Sequence, residues 1–313
     1  MLFKDKVISG MTCREVCIYM YAIETKNESV SKAFSNVYGF KLVSKRNSSF
    51  EYDLITRDTY QVSKSMMNVL GIKEVEYSYE KLCNEEHINN QYFMCKIDVF
   101  YAKWLNRFYK KEHKIHRVLV VFLDGNFYIH DYLFNVNEYM ININDLEIDG
   151  FVLKITRIIQ EEKEEDSCDD LFESSVSYII ENQKIEDIRK FMKELPLLLK
   201  NQINLYDESL IDMELLKNIN YYLSSRIMYY MFLQELKRKV CFKFDITEII
   251  NNIENIIHNI SLVKIYVIKC KYSGNLSEKN LGKLSSFLEA IVELEESNLY
   301  LVKHYYYKHV RGW

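Results

Sequence analysis

Residues 16–23, Val-Cys-Ile-Tyr-Met-Tyr-Ala-Ile, are apolar at every position, the pattern of a helix buried on all sides. Just ahead of them Thr12-Cys13-Arg14-Glu15 has the capping-box form, a Ser or Thr followed three residues later by Glu, so a helix is expected over 12–24. Helical spacing also predicts helices at 28–37 and 60–70. Between and beyond them the pattern turns strand-like, with strands expected at 49–55, 91–101, 116–123, 126–132 and 150–157. In 91–101, Phe93, Cys95, Ile97 and Val99 alternate with Met94, Lys96, Asp98 and Phe100, so one face of that strand is apolar. Asp98 is then a polar group in a β core and a candidate for lining a cleft.

Asp124-Gly125 separates two β-rich runs, His116–Leu123 and Asn126–Tyr132, and is a strong signal for a two-residue type I′ hairpin. Leu123 then pairs with Asn126, and every later pair follows in step. His116 faces Leu133 and Val118 faces Asp131, so His116 and Asp131 share a sheet face as diagonal neighbours, roughly 7–8 Å apart at the backbone. His130 falls on the opposite face, beside Arg117 and Leu119. Asp124 is read as a turn residue only.

The acidic run Glu161–Asp170 marks the boundary after this α+β part. Beyond it the spacing is helical to the end, with segments near 171–182, 185–202, 208–238, 245–271 and 277–308. Asp245-Ile246-Thr247-Glu248 and Ser277-Glu278-Lys279 read as helix starts. Leu281, Leu284, Leu288 and Ile291 form a stripe expected to pack into a helical bundle. The division expected is therefore a catalytic domain at 1–158, an acidic linker at 159–170 and a helical domain at 171–313. Helices first and an antiparallel sheet after them make the fold class α+β.

Composition narrows the function. The 313 residues are 48% hydrophobic, 14% aromatic and 27% charged, with a net charge of −4, ample for buried cores and without the strongly basic domain that nucleic acid would require. One proline and eight glycines leave few breaks and favour long helices. No apolar run reaches the ~18–20 residues that span a bilayer. Met1-Leu2-Phe3-Lys4-Asp5-Lys6 lacks a signal-peptide apolar region, so the expectation is a cytoplasmic protein without membrane or nucleic-acid partners. Seven cysteines without paired spacing fit reduced thiols. Cys13 and Cys17 stand four apart, but no His or Cys cluster completes a zinc set, and no metal is expected.

The chemistry lies in three of these residues. Cys13 occupies the first position of its helix, where unpaired backbone N–H groups and the positive end of the dipole favour a thiolate. His116 can act as its base and Asp131 can hold the imidazole, which gives a thiol nucleophile, base and orienting carboxylate in the order Cys…His…Asp. A peptidase, a thioesterase and an acyltransferase all remain open to such a triad, as does a non-catalytic binding protein with an ordinary thiol.

At these residues the chain resembles the N-terminal domain of the butirosin-biosynthesis acyltransferase and its relatives in nonribosomal peptide clusters. That family is in turn similar to bacteriocin-processing cysteine peptidases of papain-like fold. The resemblance covers roughly residues 8–157. It rests on Cys13 opening a helix, on the strand Ile97-Asp98-Val99-Phe100-Tyr101, on the connector His113-Lys114-Ile115-His116 leading into 118–123, and on Asp131 closing the next strand. It implies a papain-like cysteine-protease fold with Cys13 as nucleophile, His116 as general base and Asp131 as orienter. It also implies transfer of an acyl group from the phosphopantetheine thioester of a carrier protein to a small amine, with no other cofactor bound. Relatives in closthioamide-type pathways look like proteases but form amides. Three departures stand out. The peptidases' Gln before the cysteine is missing from Lys4–Gly10, Asp131 is followed by Tyr132 rather than Pro, and Ser48–Leu54 replaces a glycine-rich stretch.

The connector before His116 is basic. Lys103, Arg107, Lys110, Lys111, Lys114 and Arg117 stand against Glu112 alone, a solvated loop or a docking patch for an acidic carrier protein.

Overall fold

The computed structural model describes residues 11–25, 30–44, 52–55, 59–146, 148–157, 168–203, 214–239, 244–274 and 277–309. They fall into two compact units, one drawn from 11–33 with 59–164 and the other from 34–58 with 165–313. The fold is α+β, with eight α-helices and one six-stranded antiparallel sheet among the described residues, and the C-terminal part is mostly helical.

The first unit carries α1 (Cys13–Glu24), α2 (Thr59–Val69), α3 (Tyr79–Asn84) and strands β3 (Ile72–Tyr77), β4 (Gln91–Asp98), β5 (Ile115–Leu123), β6 (Asn126–Asp131), β7 (Val136–Ile141) and β8 (Ile148–Arg157). The strand order is β3-β8-β4-β5-β6-β7, antiparallel throughout. On one face Phe93, Cys95, Ile97, Val118, Val120, Ile129 and Val152 bury a core with Leu82 of α3 and with Val99, Leu105 and Phe108 of the β4–β5 connector. Helix α1 packs along β5, and its Tyr21 meets Tyr92 of β4 edge-on at 5.0 Å. Residues 16–22 are all buried, as an all-apolar helix requires.

The hairpin forms as read up to Leu119↔His130, where its ladder stops, so the expected pairs Val118–Asp131 and His116–Leu133 are not made. Asp124 (φ 49°) and Gly125 (φ 79°) both take the left-handed conformation that a type I′ turn needs, and Leu123 pairs with Asn126 and Leu119 with His130. Elsewhere the structure corrects the expected elements. Over 30–37 a short 3-10 turn, Val30–Phe34, replaces the expected helix, in keeping with Ser31, Ser35 and Asn36, which favour turns over helix interiors. The strand expected to 101 stops at Asp98, because the Asp98 carboxylate accepts the Phe100 N–H at 3.0 Å and caps a 3-10 turn, Val99–Tyr101. Strands β3 and β7, the two sheet edges, had no counterpart among the expected elements.

The second unit carries the strand pair β1 (Lys41–Ser44) and β2 (Tyr52–Ile55) and helices α4 (Cys168–Asn182), α5 (Ile185–Ile203), α6 (Glu214–Arg238), α7 (Thr247–Ser273) and α8 (Glu278–His309). Leu284, Leu288 and Ile291 of α8 are buried, with Leu281 half-buried at the end of the stripe. Asp245 accepts the Thr247 N–H at the start of α7, and Gly274 (φ 60°) ends that helix in the left-handed cap that a glycine adopts without strain. Residues 159–167 of the acidic run, 48–51 of the Ser48–Leu54 stretch, and Lys4–Gly10 lie outside the described residues. No described helix is long and apolar enough to cross a membrane.

Candidate active site

Thr12 caps α1 in extended conformation, and both halves of the capping box are made. Its hydroxyl accepts the Glu15 N–H at 3.3 Å, and the Glu15 carboxylate accepts the Thr12 N–H at 2.7 Å. Glu15 is fully buried, so the cap is fixed in place. Arg14 points away into an ion pair with Glu74 of β3. Cys13 is left half-buried at the helix tip, and the N–H groups of its own first turn have no acceptor within the helix.

The thiol meets the start of β5. That strand begins at Ile115, whereas its ladder with β6 begins only at Leu119, so Ile115–Val118 run past the end of β6. Here His116 and Arg117 both act on the Cys13 thiol, His116 through its ring and its charge and Arg117 through its backbone and side chain. Burial opposes the Cys13 thiolate, but these donors and the charge of His116 outweigh it and lower the thiol pKa. His116 shows the reciprocal effect. Burial works against its charge, yet the bonds to Asp131 and Cys13 and their charges push it up to about 9. The two groups therefore stabilise each other as thiolate and imidazolium.

His116 is 6% exposed and its Nε2 lies 3.0 Å from Asp131 Oδ1. A carboxylate can only accept, so Nε2 carries hydrogen and Nδ1 is the nitrogen left for the thiol. Asp131 is 2% exposed and its second oxygen accepts the Trp104 indole N–H at 3.2 Å. Phe134 lies edge-on to the imidazole at 5.3 Å and fixes its plane. Cys13, His116 and Asp131 are thus brought together from a helix tip, a strand start and a strand end. Cys17, one turn along α1, is buried with its thiol pushed well up by that burial, an inert neighbour.

Sequence reasoning passed over Trp104 and Arg117 as members of this cluster. Trp104 sits in a polar connector 27 residues from Asp131, and its only signal was a large side chain with one N–H to place. Arg117 was visible as the neighbour of His116, but strand parity put it on the other face.

Asp98 does not join the triad. It caps the turn after β4 and takes His113 Nδ1 at 2.6 Å, with that imidazole stacked on Phe100 at 4.1 Å. His130 is likewise apart, bonded to Glu24 and Tyr132. Lys103, Arg107, Lys110, Lys111 and Lys114 all lie exposed on the connector that also supplies Trp104. Lys103 is 3.8 Å from Asp145, Lys114 is 2.6 Å from Glu112, and Arg107 and Lys110 lie over the rings of Phe108 and Tyr109. Among the described residues no group of three or more His, Cys, Asp or Glu is arranged to hold a metal ion.

What the arrangement can do chemically is acyl transfer through sulfur. A thiol lowered in this way reaches its thiolate form more readily, and an imidazolium beside it can protonate a leaving group. A scan against protein-family models and a search of curated proteins both returned no match for this sequence.

Proposed function

We propose that the protein is a cysteine-dependent acyltransferase with a papain-like catalytic unit, which moves an acyl group from a carrier-protein thioester to an amine. The observation that carries this reading is the chain of contacts Cys13–His116–Asp131–Trp104, in which the thiol is lowered and the imidazole raised.

In the first half-reaction the Cys13 thiolate attacks the thioester carbonyl. The tetrahedral intermediate collapses, the pantetheine sulfur leaves with the His116 proton as a free thiol, and an acyl-Cys13 thioester remains. In the second, an amine attacks that thioester while neutral His116 takes its proton. The Cys13 thiolate departs, and the ion pair is restored with the amide released. Asp131 holds the imidazole through both steps, and Trp104 holds Asp131. The Cys13 backbone N–H at the tip of α1 would serve as one donor to the oxyanion.

The exposed basic connector supports an acidic carrier protein as donor, since its positive face surrounds the segment leading into His116. Reversing Lys110 and Lys111 to Glu should slow transfer from carrier-bound donors while sparing small thioester mimics. Equal loss with both donors would count against docking there.

Product analysis separates amide formation from hydrolysis. Acylated carrier protein is incubated with the enzyme and a graded series of amines. The expected result is an amide whose yield rises with amine and vanishes in Cys13→Ala. Free acid as the sole product at every amine concentration would make the protein a thioesterase or peptidase instead.

A further inference from the structure

The end of α1 opposite Cys13 breaks a local rule. Glu24 is its last residue, where the backbone carbonyls carry the negative end of the dipole, and no basic side chain lies in that turn. An acid there is disfavoured, and this one is also largely buried, with 17% of its side chain exposed. Groups from β4, β6 and the turn after β6 converge on it. His130 Nδ1 lies 2.8 Å from Glu24 Oε1, the Tyr132 hydroxyl donates to the same oxygen, and the Tyr92 phenol stands near enough to be acted on by the carboxylate.

Because a carboxylate only accepts, Nδ1 carries the hydrogen, and the Tyr132 oxygen shares it at 2.9 Å. Burial, followed by the charge of Glu24 and the bond to it, pushes Tyr92 up to about 12. Tyr132 is raised by burial and by its bond to Glu24, with Glu138 adding to the effect. Both hydroxyls therefore stay protonated, and that of Tyr132 donates to Glu24. Tyr21 completes the surroundings, edge-on to Tyr92.

The position of this cluster gives it a consequence. His130 immediately precedes Asp131, and the β5–β6 ladder ends at the pair Leu119↔His130. The β6–β7 ladder shifts register between Ile129 and Asp131, with Glu138 opposite in the left-handed conformation (φ 56°). Asp131 thus lies beyond the β5–β6 ladder and past an irregularity in the β6–β7 ladder, just where His130 is held by α1. At the other end of α1, about 17 Å away at 1.5 Å per residue, stands Cys13.

We propose that Glu24, through His130, Tyr132 and Tyr92, is a positioning group that sets α1 against the end of β6 and so aligns Cys13 with His116 and Asp131. The proposal rests on the reading of those three residues as one reactive site.

The test is the pH dependence of Cys13 alkylation by iodoacetamide, followed by peptide mapping, in wild type, Glu24→Gln, Tyr132→Phe, His130→Leu and His130→Asn. Wild-type Cys13 should titrate below the free-thiol value of ~8.5. His130→Leu should shift that titration up by about one unit and cut the alkylation rate at acidic pH about tenfold. His130→Asn, whose amide nitrogen takes the place of Nδ1, should restore most of the rate. Glu24→Gln and Tyr132→Phe keep side-chain size and should give smaller upward shifts, and they carry the test if His130→Leu does not fold. Folded variants that all titrate like wild type would make the cluster a plain tether and overturn the proposal. A wild-type Cys13 titrating at the free value would overturn the reading of the site itself, a failure visible without any variant.

Discussion

Two of the clusters that bury charge among the described residues do so in opposite ways. In the helical unit Arg226 of α6 and Glu295 of α8 are both fully buried, 2.8 Å apart. Glu295 Oε1 also accepts the Tyr222 hydroxyl at 2.5 Å, and its Oε2 accepts Tyr38 at 2.5 Å and the Gln183 amide at 2.9 Å. Arg226 donates to the Gly39 carbonyl at 2.9 Å and to Gln183 at 3.2 Å, with its guanidinium 3.9 Å from the Tyr38 ring centre. Each charge is closed in by partners, and no face is left for a substrate.

The Cys13–His116–Asp131 cluster obeys the same requirement for partners at its inner end, where Asp131 and His116 are nearly sealed. Its outer end is a half-buried sulfur. Charge held on three sides and open on the fourth is what a nucleophile needs, whereas charge closed on every side is a rivet. The difference between the clusters lies in exposure of the last atom rather than in the strength of the pairing.

Several substitutions probe that contrast. Cys13→Ala should have the largest effect and abolish acyl transfer, with a loss on the order of 10³-fold or more, measured in single-turnover assays. Glu295→Ala leaves Arg226 buried without its partner and should cost about 3–5 kcal/mol in denaturant unfolding of the helical unit. A small cost there would mean that the network is not closed as described.

Asp131→Asn should lower transfer by roughly 10²–10⁴-fold, because an amide can present the wrong group to the imidazole. The pH profile gives the sign. Thiolate and imidazolium coexist between the lowered Cys13 value and about 9, so the rate should rise as Cys13 ionises and fall as His116 loses its proton near pH 9. In Asp131→Asn the carboxylate no longer holds the imidazolium, and the alkaline limb should move down toward the ordinary histidine value of 6.5. An alkaline limb unmoved in that variant would show that Asp131 does not tune His116.

The smallest effect is expected at the helix cap. Thr12→Ala removes the acceptor of the Glu15 N–H and should cost about 1 kcal/mol in thermal or denaturant melts, without abolishing transfer.

What could be read from the sequence was local. The capping box at Thr12 and Glu15 fixed where α1 starts, and Asp124-Gly125 fixed a register that holds from Leu123↔Asn126 to Leu119↔His130, one residue short of Asp131. Both signals depend on residues a few positions apart. Edge strands β3 and β7 escaped notice because an edge strand is only half-covered. Ile72–Tyr77 mixes two Glu and a Lys among its apolar residues, and β7 carries Glu138 in the left-handed conformation, which breaks its alternation. Trp104 and the Glu24–His130 contact join elements 27 and 106 residues apart, for which no short-range pattern exists. Arg226 did leave a trace, as a lone charge within an apolar stretch from Ile219 to Phe232. Its partner Glu295 did not, since it is one of several glutamates on α8.

Thiolate absorbance in the ultraviolet, titrated against pH and corrected by the Cys13→Ala protein, tests the central claim most directly. The account predicts a Cys13 signal that forms below the free-thiol value and shifts upward in His116→Asn. A Cys13 that ionises near the free-thiol value of ~8.5, whether or not His116 is present, would contradict it.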